Sequence, residues 1–229
     1  MDDLNLSQKT SPAQNSIQGQ PHFDLQLIKA ERSSSGSTEI AGYLLKRPID
    51  FFMSGVALVI LSPVFLVIAL IIKMTSPGSV FFRQERLGLG EKPFMILKFR
   101  SMRSDSESTG PQFTKANDNR ITGIGKIIRK TSLDEIPQLI NIIRGEMSLI
   151  GPRPYVGFEL VEVSQANRQR RASIRPGVSG LAQVSGRSQL SQSAAIEYDL
   201  EYVEKCNLLF DLNIILKTIQ TVFFCKGTN

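Results

Sequence analysis

Two adjacent carboxylates and an arginine between two prolines are the residues of this chain best suited to chemistry. The carboxylates are Asp134 and Glu135, and Arg153 follows them between Pro152 and Pro154. Because the prolines fix φ on either side of Arg153, its guanidinium is expected to be held more firmly than that of a surface arginine. A carboxylate pair with a fixed cation is typical of metal-assisted phosphate chemistry. The alternative is that the carboxylates only cap a helix and that Arg153 is solvated.

The spacing of the residues around the pair predicts a helix that begins there. Ser132 and Glu135 have the spacing of a capping box. Asp134 is the other candidate for the cap, and Pro137 would then lie in the first turn, where its missing N–H costs nothing. Either arrangement puts two carboxylates at a helix N-terminus, whose partial positive charge is expected to keep them ionised.

Composition and charge indicate one basic domain behind a polar tail. The 229 residues are 41% hydrophobic, enough to bury the core of one domain with an appendage. Residues 1–42 have a net charge of −2 and residues 43–229 a net charge of +8. The domain should therefore favour anions, which include phosphates, nucleic acid and an acidic membrane surface. The tail, rich in Ser and Gln, is predicted to be disordered, and it does not resemble a signal peptide.

The histidine and cysteine content excludes several kinds of chemistry. The only histidine is His22, in the polar tail, which argues against histidine catalysis and histidine-ligated zinc in the domain. Cys206 and Cys225 have neither a disulfide framework nor a metal-ligand spacing, and they indicate reduced thiols in a cytosolic setting.

The longest apolar segment predicts a membrane helix. Phe51 to Ile72 is 22 residues without a charge, and as a straight helix it would be about 33 Å long, enough to cross a bilayer. Ser62-Pro63 lies in its middle, and basic residues flank both ends, so the positive-inside rule gives no direction. A helix that breaks at Ser62-Pro63 and returns to the cytosolic face would satisfy both features. A kinked spanning helix and a soluble core helix are the alternatives.

The segments after this helix supply further cations. Val80–Phe82, a loop at Gln84–Gly90 and a return strand at Pro93–Arg100 predict a hairpin whose Lys98 and Arg100 share one face. That face either binds phosphate or is solvated. Ser104–Asn119 is predicted to be a mobile loop, and the isoleucines at positions 121, 124, 127 and 128 have the spacing of a helix packed on a core.

The last third of the domain combines a glycine-rich segment with helices. Arg175 and Arg187 bound a segment dense in glycine, whose backbone N–H groups can hold phosphate oxygens while the arginines bind them. Ala194–Cys225 is helical in pattern and more apolar than a surface helix usually is. It packs on the core or lies as an amphipathic helix in the membrane interface.

Several blocks of sequence, in one order from about Tyr43 to the C-terminus, resemble the bacterial sugar transferases. This family comprises the monotopic polyprenyl-phosphate phosphoglycosyl transferases. The matching blocks are Lys46-Arg47-Pro48-Ile49-Asp50-Phe51, the apolar segment with Ser62-Pro63, Gln84-Glu85-Arg86-Leu87-Gly88, Lys98-Phe99-Arg100-Ser101-Met102, Thr131-Ser132-Leu133-Asp134-Glu135-Ile136-Pro137-Gln138, Gly151-Pro152-Arg153-Pro154, the Arg175–Arg187 segment, and the Tyr198-Asp199/Tyr202 region.

The resemblance implies a reaction and its participants. The enzyme would transfer a hexose-1-phosphate unit from a UDP-sugar to polyprenyl (undecaprenyl) phosphate and release UMP, with Mg²⁺ and a covalent intermediate, at the bacterial cytoplasmic (inner) membrane. Substrates and membrane lipid are then the partners, and nucleic acid is not. Other polysaccharide-assembly enzymes and a second copy of the chain are further candidates. The sugar is left open.

The resemblance also assigns roles to residues. Asp134 would be the nucleophile, Glu135 would assist it, and both would hold the metal. Phosphate groups would be bound by cations and one amide, namely Lys98, Arg100, Arg153, Arg175, Arg187 and Gln183. The break in the membrane helix would lie at Ser62 and Pro63.

The implied fold is α+β and predominantly helical, with a membrane-embedded, broken (re-entrant) N-terminal helix, a cytosolic catalytic domain and interfacial amphipathic helices. Residues 1–42 form the tail and 43–229 the sugar transferase domain, in which 43–73 is the membrane helix and 74–229 the cytosolic catalytic part. Two other classes of protein compete with this interpretation: a membrane-anchored basic protein that binds without catalysis, and a scaffold with the same fold and an inactive site.

Overall fold

The computed structural model of the chain describes residues 25–103, 118–186 and 190–223, with side chains from Leu45 to Thr221 within those ranges. The chain divides into two compact units, Met1–Ser37 and Thr38–Asn229. The described part of the second unit consists mainly of helices with two small sheets. The prediction of a predominantly helical α+β fold is confirmed.

The elements follow one another in this order: α1 (Leu25–Thr75), β1 (Phe81–Leu87), β2 (Pro93–Phe99), α2 (Gly123–Lys130), α3 (Gln138–Arg144), β3 (Ser148–Ile150), α4 (Gln165–Arg171), β4 (Gly177–Ser179), α5 (Leu181–Ser185), α6 (Gln192–Lys205) and α7 (Leu208–Phe223). Short 3₁₀ turns cover Leu89–Glu91, Leu133–Glu135 and Gly157–Leu160. Strands β1 and β2 form an antiparallel hairpin, and β3 pairs with β4 in parallel.

Helix α1 contains the apolar segment. Within the described residues, Leu45–Thr75 is one helix long and apolar enough to cross a membrane by length and composition, which indicates a membrane anchor. The helix is not interrupted at Ser62-Pro63. Pro63 has no N–H to donate to the Val59 carbonyl, and the Ser62 hydroxyl donates to it instead, at 2.7 Å. The helix assignment is therefore continuous through the residues where the sequence predicts a break, and the predicted re-entrant arrangement stays a prediction.

The N-terminal boundary of α1 lies inside the segment predicted to be a tail. The helix begins at Leu25, and residues 1–24 lie outside the described residues. The division into a disordered tail at 1–42 and a domain at 43–229 stays a prediction.

One face of α1 packs against the rest of the unit. Ile68 and Ile72 are buried in the main hydrophobic cluster together with Phe99, Ile128 and Ile142. The opposite face is exposed: Phe52 is 68% exposed and Val59 74%. The helix is therefore neither a core helix, which would be covered all round, nor a helix surrounded by lipid.

The two basic residues before the apolar segment also contact the unit. The Lys46 ammonium lies 2.5 Å from a carboxylate oxygen of Asp211 in α7. The Arg47 guanidinium donates to the carbonyls of Ile142, at 2.6 Å, and Ile143, at 3.1 Å, near the C-terminus of α3. The sequence predicts that both cations flank a membrane segment. In the structure they attach α1 to α3 and α7.

Helix α3 is fastened to the hairpin by one buried amide. Asn141 is fully buried; its Oδ1 accepts from the Leu97 N–H at 3.0 Å and its Nδ2 donates to the Met95 carbonyl at 2.8 Å. The side chain therefore satisfies backbone groups on the edge of β2 as another strand would. This bond fixes α3, and the carboxylates before it, relative to Lys98.

Two local predictions differ from the structure, and a third is confirmed. Strand β1 continues to Leu87, so most of the predicted loop at Gln84–Gly90 belongs to the strand. Ile127 is 60% exposed, although the isoleucine spacing predicts a core position, because α2 buries only its Ile128 side. The helical pattern of the C-terminal segment is confirmed as two helices, since Asn207 accepts from the Phe210 N–H and caps a new helix, α7.

The described residues leave other predictions untested. Most of the Ser104–Asn119 loop lies outside them. Helix α7 buries Ile214 but exposes Leu209, Leu212 and Leu216. One face of α7 therefore packs on the core, as the first alternative for this segment predicts. The opposite face is apolar and exposed, as an amphipathic helix in the membrane interface would require.

Replacing Asn141 with Ala should destabilise the unit. The Leu97 N–H would stay buried without its acceptor and the Met95 carbonyl would lose its donor, at a loss of about 2–3 kcal/mol. Thermal unfolding of the detergent-solubilised protein should show a Tm lower by about 4–10 °C. Asn213→Ala, at an exposed position of α7, is the matched control and should leave the Tm unchanged. Equal Tm values for the two variants would contradict the role of Asn141.

Candidate active site

The carboxylate pair lies in the 3₁₀ turn Leu133–Glu135, between α2 and α3. Ser132, just before the turn, has a φ of 57° in the left-handed region, where non-glycine residues are uncommon. This backbone reverses the chain after α2 and leads directly into the pair. Left-handed non-glycine residues cluster at functional sites, where the surrounding structure compensates for their strain.

The predicted capping box is wrong. The Ser132 side chain makes no capping bond; its carbonyl accepts from the Glu135 N–H at 3.2 Å. Helix α3 begins only at Gln138, after Pro137, so the carboxylates precede the helix instead of capping it. The left-handed conformation of Ser132 accounts for the difference, because an N-cap residue needs an extended backbone to turn its side chain toward the following N–H groups.

The charges around the pair do not neutralise it fully. The Lys98 ammonium is 2.6 Å from Glu135 Oε1. Burial, followed by the charge of Glu135, raises the pKa of Asp134 from its usual 3.8 to about 6, while Lys98 and Arg129 oppose the rise. The raised pKa shows that burial, and not a helix terminus, dominates the ionisation of Asp134, because the pair precedes α3 instead of capping it. At pH 7 a carboxyl group with this pKa is still about nine-tenths ionised.

A partly desolvated carboxylate of this kind suits nucleophilic chemistry. It is anionic at neutral pH and needs no base, yet water solvates it poorly, so that it is more basic than a surface carboxylate. Carboxyl groups with strongly raised pKa values cluster at functional sites. Asp134 is therefore the strongest candidate for the reacting group among the described residues.

Arg86 connects the pair with the Pro-Arg-Pro turn. Its guanidinium donates to the Pro154 carbonyl at 3.2 Å and to Glu159 at 3.1 Å. Burial lowers the pKa of Arg86, and among nearby charges Arg153 lowers it further while Glu135 raises it. Arg86 therefore lies within electrostatic reach of both predicted parts of the site.

The turn presents Arg153 to solvent. Its side chain is exposed and makes no hydrogen bond or ion pair within the part of the chain that the structure describes. The backbone carbonyls of the turn, in contrast, accept hydrogen bonds from groups elsewhere in the fold. The prediction that Arg153 is held in place is thus confirmed for its backbone, and its guanidinium is available to an anion.

The other predicted phosphate ligands lie in different places. Arg100 donates to the Ser76 and Pro77 carbonyls, after the end of α1, at 2.8 Å each. Arg175 donates to the Gly145 carbonyl at 2.9 Å, at the C-terminal end of α3 and away from Asp134. Of Lys98, Arg100 and Arg175, only Lys98 contacts the carboxylate pair. The phosphate-binding roles of all three stay predictions.

The glycine-rich segment is packed structure instead of an open loop. It forms β4 and α5, and the Gly177 N–H donates to the Pro152 carbonyl at 2.9 Å. A Cβ at Gly177 would lie 2.1 Å from the Gly151 nitrogen, so this glycine allows close packing against the turn. Gln183 in α5 has a buried Oε1 without a hydrogen-bond partner among the described residues, and Arg187 lies outside those residues.

Two cations near the pair were not singled out from the sequence as site residues. Arg129 acts on Asp134 from α2, and Arg86 acts on Glu135 from β1. The sequence pattern predicts that Arg129 lies on the polar side of a helix and that Arg86 lies in a hairpin loop. No local signal identifies either, because both reach the pair only through tertiary packing.

The donor set fits a magnesium ion shared with a substrate. Mg²⁺ is usually held by one or two carboxylates, and waters and substrate phosphates complete its octahedron. Asp134 and Glu135 supply the carboxylates, and the rise in the pKa of Asp134 shows that the pair lacks full compensation. Over the described residues, no group of three or more acidic, histidine or cysteine side chains converges into a closed metal cage.

Comparison with known proteins identifies the family. The family model described as "Bacterial sugar transferase" matches residues 41–225. This range includes the apolar helix, the carboxylate pair and the Pro-Arg-Pro turn. The chain therefore belongs to the bacterial sugar transferase family.

Three relatives illustrate the similarity. "Exopolysaccharide production protein ExoY" of Rhizobium meliloti (strain 1021) is 38% identical over 209 residues, which cover 85% of this chain and 92% of the relative. "UDP-glucose:undecaprenyl-phosphate glucose-1-phosphate transferase" of Escherichia coli (strain K12) is 39% identical over 192 residues, covering 80% and 41%. "UDP-N-acetylgalactosamine-undecaprenyl-phosphate N-acetylgalactosaminephosphotransferase" of Aeromonas hydrophila is 41% identical over 186 residues, covering 78% and 43%. The chain thus spans nearly all of the first relative and less than half of the other two.

Asp134→Asn should stabilise the protein at neutral pH. Because the pKa of Asp134 is higher in the folded state than in the unfolded state, the folded state binds more protons between pH 3.8 and about 6. The free energy of unfolding therefore falls as the pH rises through this window, and above it the ionised Asp134 costs about 2–3 kcal/mol.

Thermal unfolding at pH 7.5 should give a higher Tm for Asp134→Asn than for the unsubstituted protein, and the difference should vanish near pH 4. Glu201→Gln, which alters an exposed carboxylate paired with Lys205, is the control and should show little gain at either pH. A gain for Asp134→Asn that is the same at both pH values would contradict the raised pKa.

Proposed function

We propose that the protein transfers a hexose-1-phosphate unit from a UDP-sugar to polyprenyl (undecaprenyl) phosphate and releases UMP. The observation that carries this proposal is the half-buried Asp134–Glu135 pair, which lies beside Lys98 in a chain of this family. Relatives named for this type of transfer match most of the chain. The reaction would be an initiating step of exopolysaccharide, capsule, O-antigen or other glycan assembly.

Asp134 is the nucleophile in the first half of the proposed reaction. One of its carboxylate oxygens attacks the β-phosphorus of the UDP-sugar and forms an acyl phosphate that holds the sugar. The bond from this phosphorus to the bridging oxygen breaks, and UMP leaves with that oxygen and its electron pair. Because two anions meet in this step, the nearby cations Lys98 and Arg129 reduce the repulsion.

The second half of the reaction restores the enzyme. A phosphate oxygen of the polyprenyl phosphate attacks the same phosphorus, and the bond to Asp134 breaks, so that the carboxylate is regenerated and a diphosphate-linked sugar is formed. Glu135 accepts the proton of the acceptor phosphate when that phosphate arrives protonated. Its ion pair with Lys98 fixes its orientation for this task.

Mg²⁺ is the proposed cofactor, and Asp134 with Glu135 would hold it. When bound, the ion would supply charge neutralisation at the diphosphate. Arg153, exposed at the turn beside Arg86, would bind a further phosphate oxygen of the donor.

Helix α1 is proposed to enter and leave the membrane on the same side. At one end of its apolar segment the Ser148 hydroxyl donates to Asp50 at 2.6 Å, and beyond the other end Arg100 donates to the Ser76 and Pro77 carbonyls. A spanning helix would separate these ends by the hydrocarbon core of about 30 Å, so the unit that contacts both would have to enter lipid. The segment also exposes large apolar side chains along its length, from Phe52 through Val59 and Ile60 to Leu70.

This arrangement favours the inner leaflet of the cytoplasmic membrane, with the catalytic part in the cytoplasm. The exposed apolar side of α1 would contact lipid, and the exposed face of α7, with Leu209, Leu212 and Leu216, would lie in the interface. A lipid phosphate at headgroup depth could then reach Asp134.

Release of UMP from a panel of UDP-sugars tests the reaction. Detergent-solubilised protein with polyprenyl phosphate and Mg²⁺ should release UMP from one donor, among UDP-glucose, UDP-galactose and their N-acetylated amino-sugar counterparts. Asp134→Asn should abolish both UMP release and the phosphosugar adduct, because the nucleophile is lost. Glu135→Gln should lower turnover by about 100-fold or more.

Glu201→Gln, at an exposed ion pair on α6, is the control and should keep full activity. An adduct at the normal level in Asp134→Asn would move the nucleophile to another residue. No UMP from any donor with well-folded protein would indicate a binding protein or an inactive scaffold instead.

Cysteine labelling tests the membrane arrangement. In a background with Cys206→Ser and Cys225→Ser, single cysteines at the exposed positions Leu45 and Ser79 mark the two ends of the segment. A membrane-impermeant maleimide should label Leu45→Cys and Ser79→Cys only in inside-out vesicles. Labelling of the two variants from opposite sides would show that α1 spans the bilayer.

A further inference from the structure

The turn that presents Arg153 has every carbonyl from residue 152 to residue 155 hydrogen-bonded to a donor elsewhere in the fold. The donors are the Gly177 N–H to Pro152, an Arg171 N–H to Arg153, an Arg86 N–H to Pro154, and the Leu87 N–H to Tyr155. The turn itself belongs to no helix or strand. Its conformation is therefore imposed by β4, α4 and β1, and Arg171 is the donor that acts on the arginine itself.

Arg171 makes three contacts at once. Its Nε donates to Asp199 Oδ2 at 2.7 Å, a terminal N–H donates to the Arg153 carbonyl, and the guanidinium lies over the Tyr155 ring at 4.4 Å from the centroid. The side chains of Arg171 and Asp199 are only 6% and 1% exposed. One planar guanidinium therefore joins α4, α6 and the turn in a buried site.

Burying an ion pair usually gives little stability, because desolvation opposes the attraction of the charges. Burial raises the pKa of Asp199, while Arg171 and the backbone N–H of Arg153 favour its ionised form. Of the backbone groups of Arg153, the carbonyl accepts a hydrogen bond from Arg171, and Oδ1 of Asp199 is buried without a hydrogen-bond partner among the described residues. Some buried ion pairs serve to select one conformation, and the conformation in contact with this pair is that of the turn.

The attachment of α4 to α6 does not depend on this pair alone. Arg170 and Glu204, on the same two helices, form a second ion pair that is 37% and 23% exposed and does not contact the turn. The two pairs have the same charges and join the same helices. They differ in burial and in contact with the backbone of Arg153.

We propose that Arg171 and Asp199 are positioning residues for Arg153: they fix its backbone so that its exposed guanidinium meets the diphosphate of the UDP-sugar. This inference rests on the proposed function, in which Arg153 binds the donor. Losing the pair leaves the charge of Arg153 unchanged but lets its backbone move. The affinity for the diphosphate then falls although no group that touches the substrate has been altered.

A double-mutant cycle tests the proposal. Asp199→Asn, Arg153→Ala and the double variant are compared in their Kd for UDP, by calorimetry, and in kcat/KM for UMP release. Each single variant should weaken UDP binding by about 10- to 100-fold, the range of a charge-assisted phosphate contact. The double variant should be no weaker than Arg153→Ala, because Asp199 acts through Arg153.

Two further variants separate positioning from folding. Glu204→Gln removes the exposed pair between the same helices and should keep the Kd for UDP. Arg171→Lys keeps the charge beside Asp199, but one ammonium group cannot replace the planar guanidinium at Asp199, the Arg153 carbonyl and the Tyr155 ring together. It should weaken UDP binding as Asp199→Asn does, and it stands in for that variant if Asp199→Asn fails to fold.

The outcomes distinguish this inference from the role of Arg153. If Asp199→Asn, or Arg171→Lys, weakens UDP binding by the same factor with and without Arg153, the pair does not act through Arg153 and the inference is overturned alone. If Arg153→Ala leaves the Kd for UDP unchanged, both the proposed role of Arg153 and the inference are overturned. Loss of UDP affinity in Glu204→Gln equal to that in Asp199→Asn would reduce the pair to a helix attachment.

Discussion

The fixed position of the short helix α3 is the constraint on which the rest of the site depends. A helix of seven residues is not stable alone, so its position must come from its contacts. Its C-terminal end is closed by Gly145 with a φ of 87° and by carbonyl bonds from Arg47 and Arg175. Its buried face packs in the main hydrophobic cluster, and Asn141 bonds to the hairpin. The turn just before this helix contains the catalytic candidates.

Through these contacts the apolar helix α1 and the candidate carboxylates belong to one rigid arrangement. Arg47 extends from α1 to α3, and Asp50 receives a hydrogen bond from Ser148 in β3. A site that must meet a lipid phosphate needs a defined depth relative to the bilayer. In the proposed arrangement, the direct attachment of α1 to the element that follows Asp134 would supply this depth without a flexible linker.

The site itself combines poor solvation with incomplete charge compensation. Burial raises the pKa of Asp134 more than the neighbouring cations lower it, and Glu135 adds its own repulsion. Such a pair is destabilising in the absence of ligands, and a divalent cation or an added cationic contact relieves it. The turn at Arg153, in contrast, presents a cation whose backbone is fixed and whose guanidinium is exposed. The carboxylate pair is anionic and partly desolvated, and Arg153 is cationic and exposed. A diphosphate bound with a metal ion would require both, since the carboxylates would hold the metal and the arginine would bind the phosphate.

The sequence by itself determined the parts of this protein that depend on composition and local pattern. The uninterrupted apolar segment predicts the long helix α1, the alternation around Lys98 predicts the hairpin, and Pro152 and Pro154 predict the restricted backbone of Arg153. The blocks that resemble the sugar transferases predicted the family, which the match over residues 41–225 confirms.

Only the tertiary structure decided which charges meet. Arg175 and Arg100 were predicted to bind phosphate, but they donate hydrogen bonds to carbonyls at helix ends. Arg86, on a strand, and Arg129, on a helix, instead lie within electrostatic reach of the carboxylate pair. The capping box at Ser132 failed because the path of the chain after α2 imposes a left-handed backbone there. The physical reason is the same in each case: residue type and spacing fix what a side chain can do, but long-range packing sets its neighbours and its access to water, and these decide its charge state and its role.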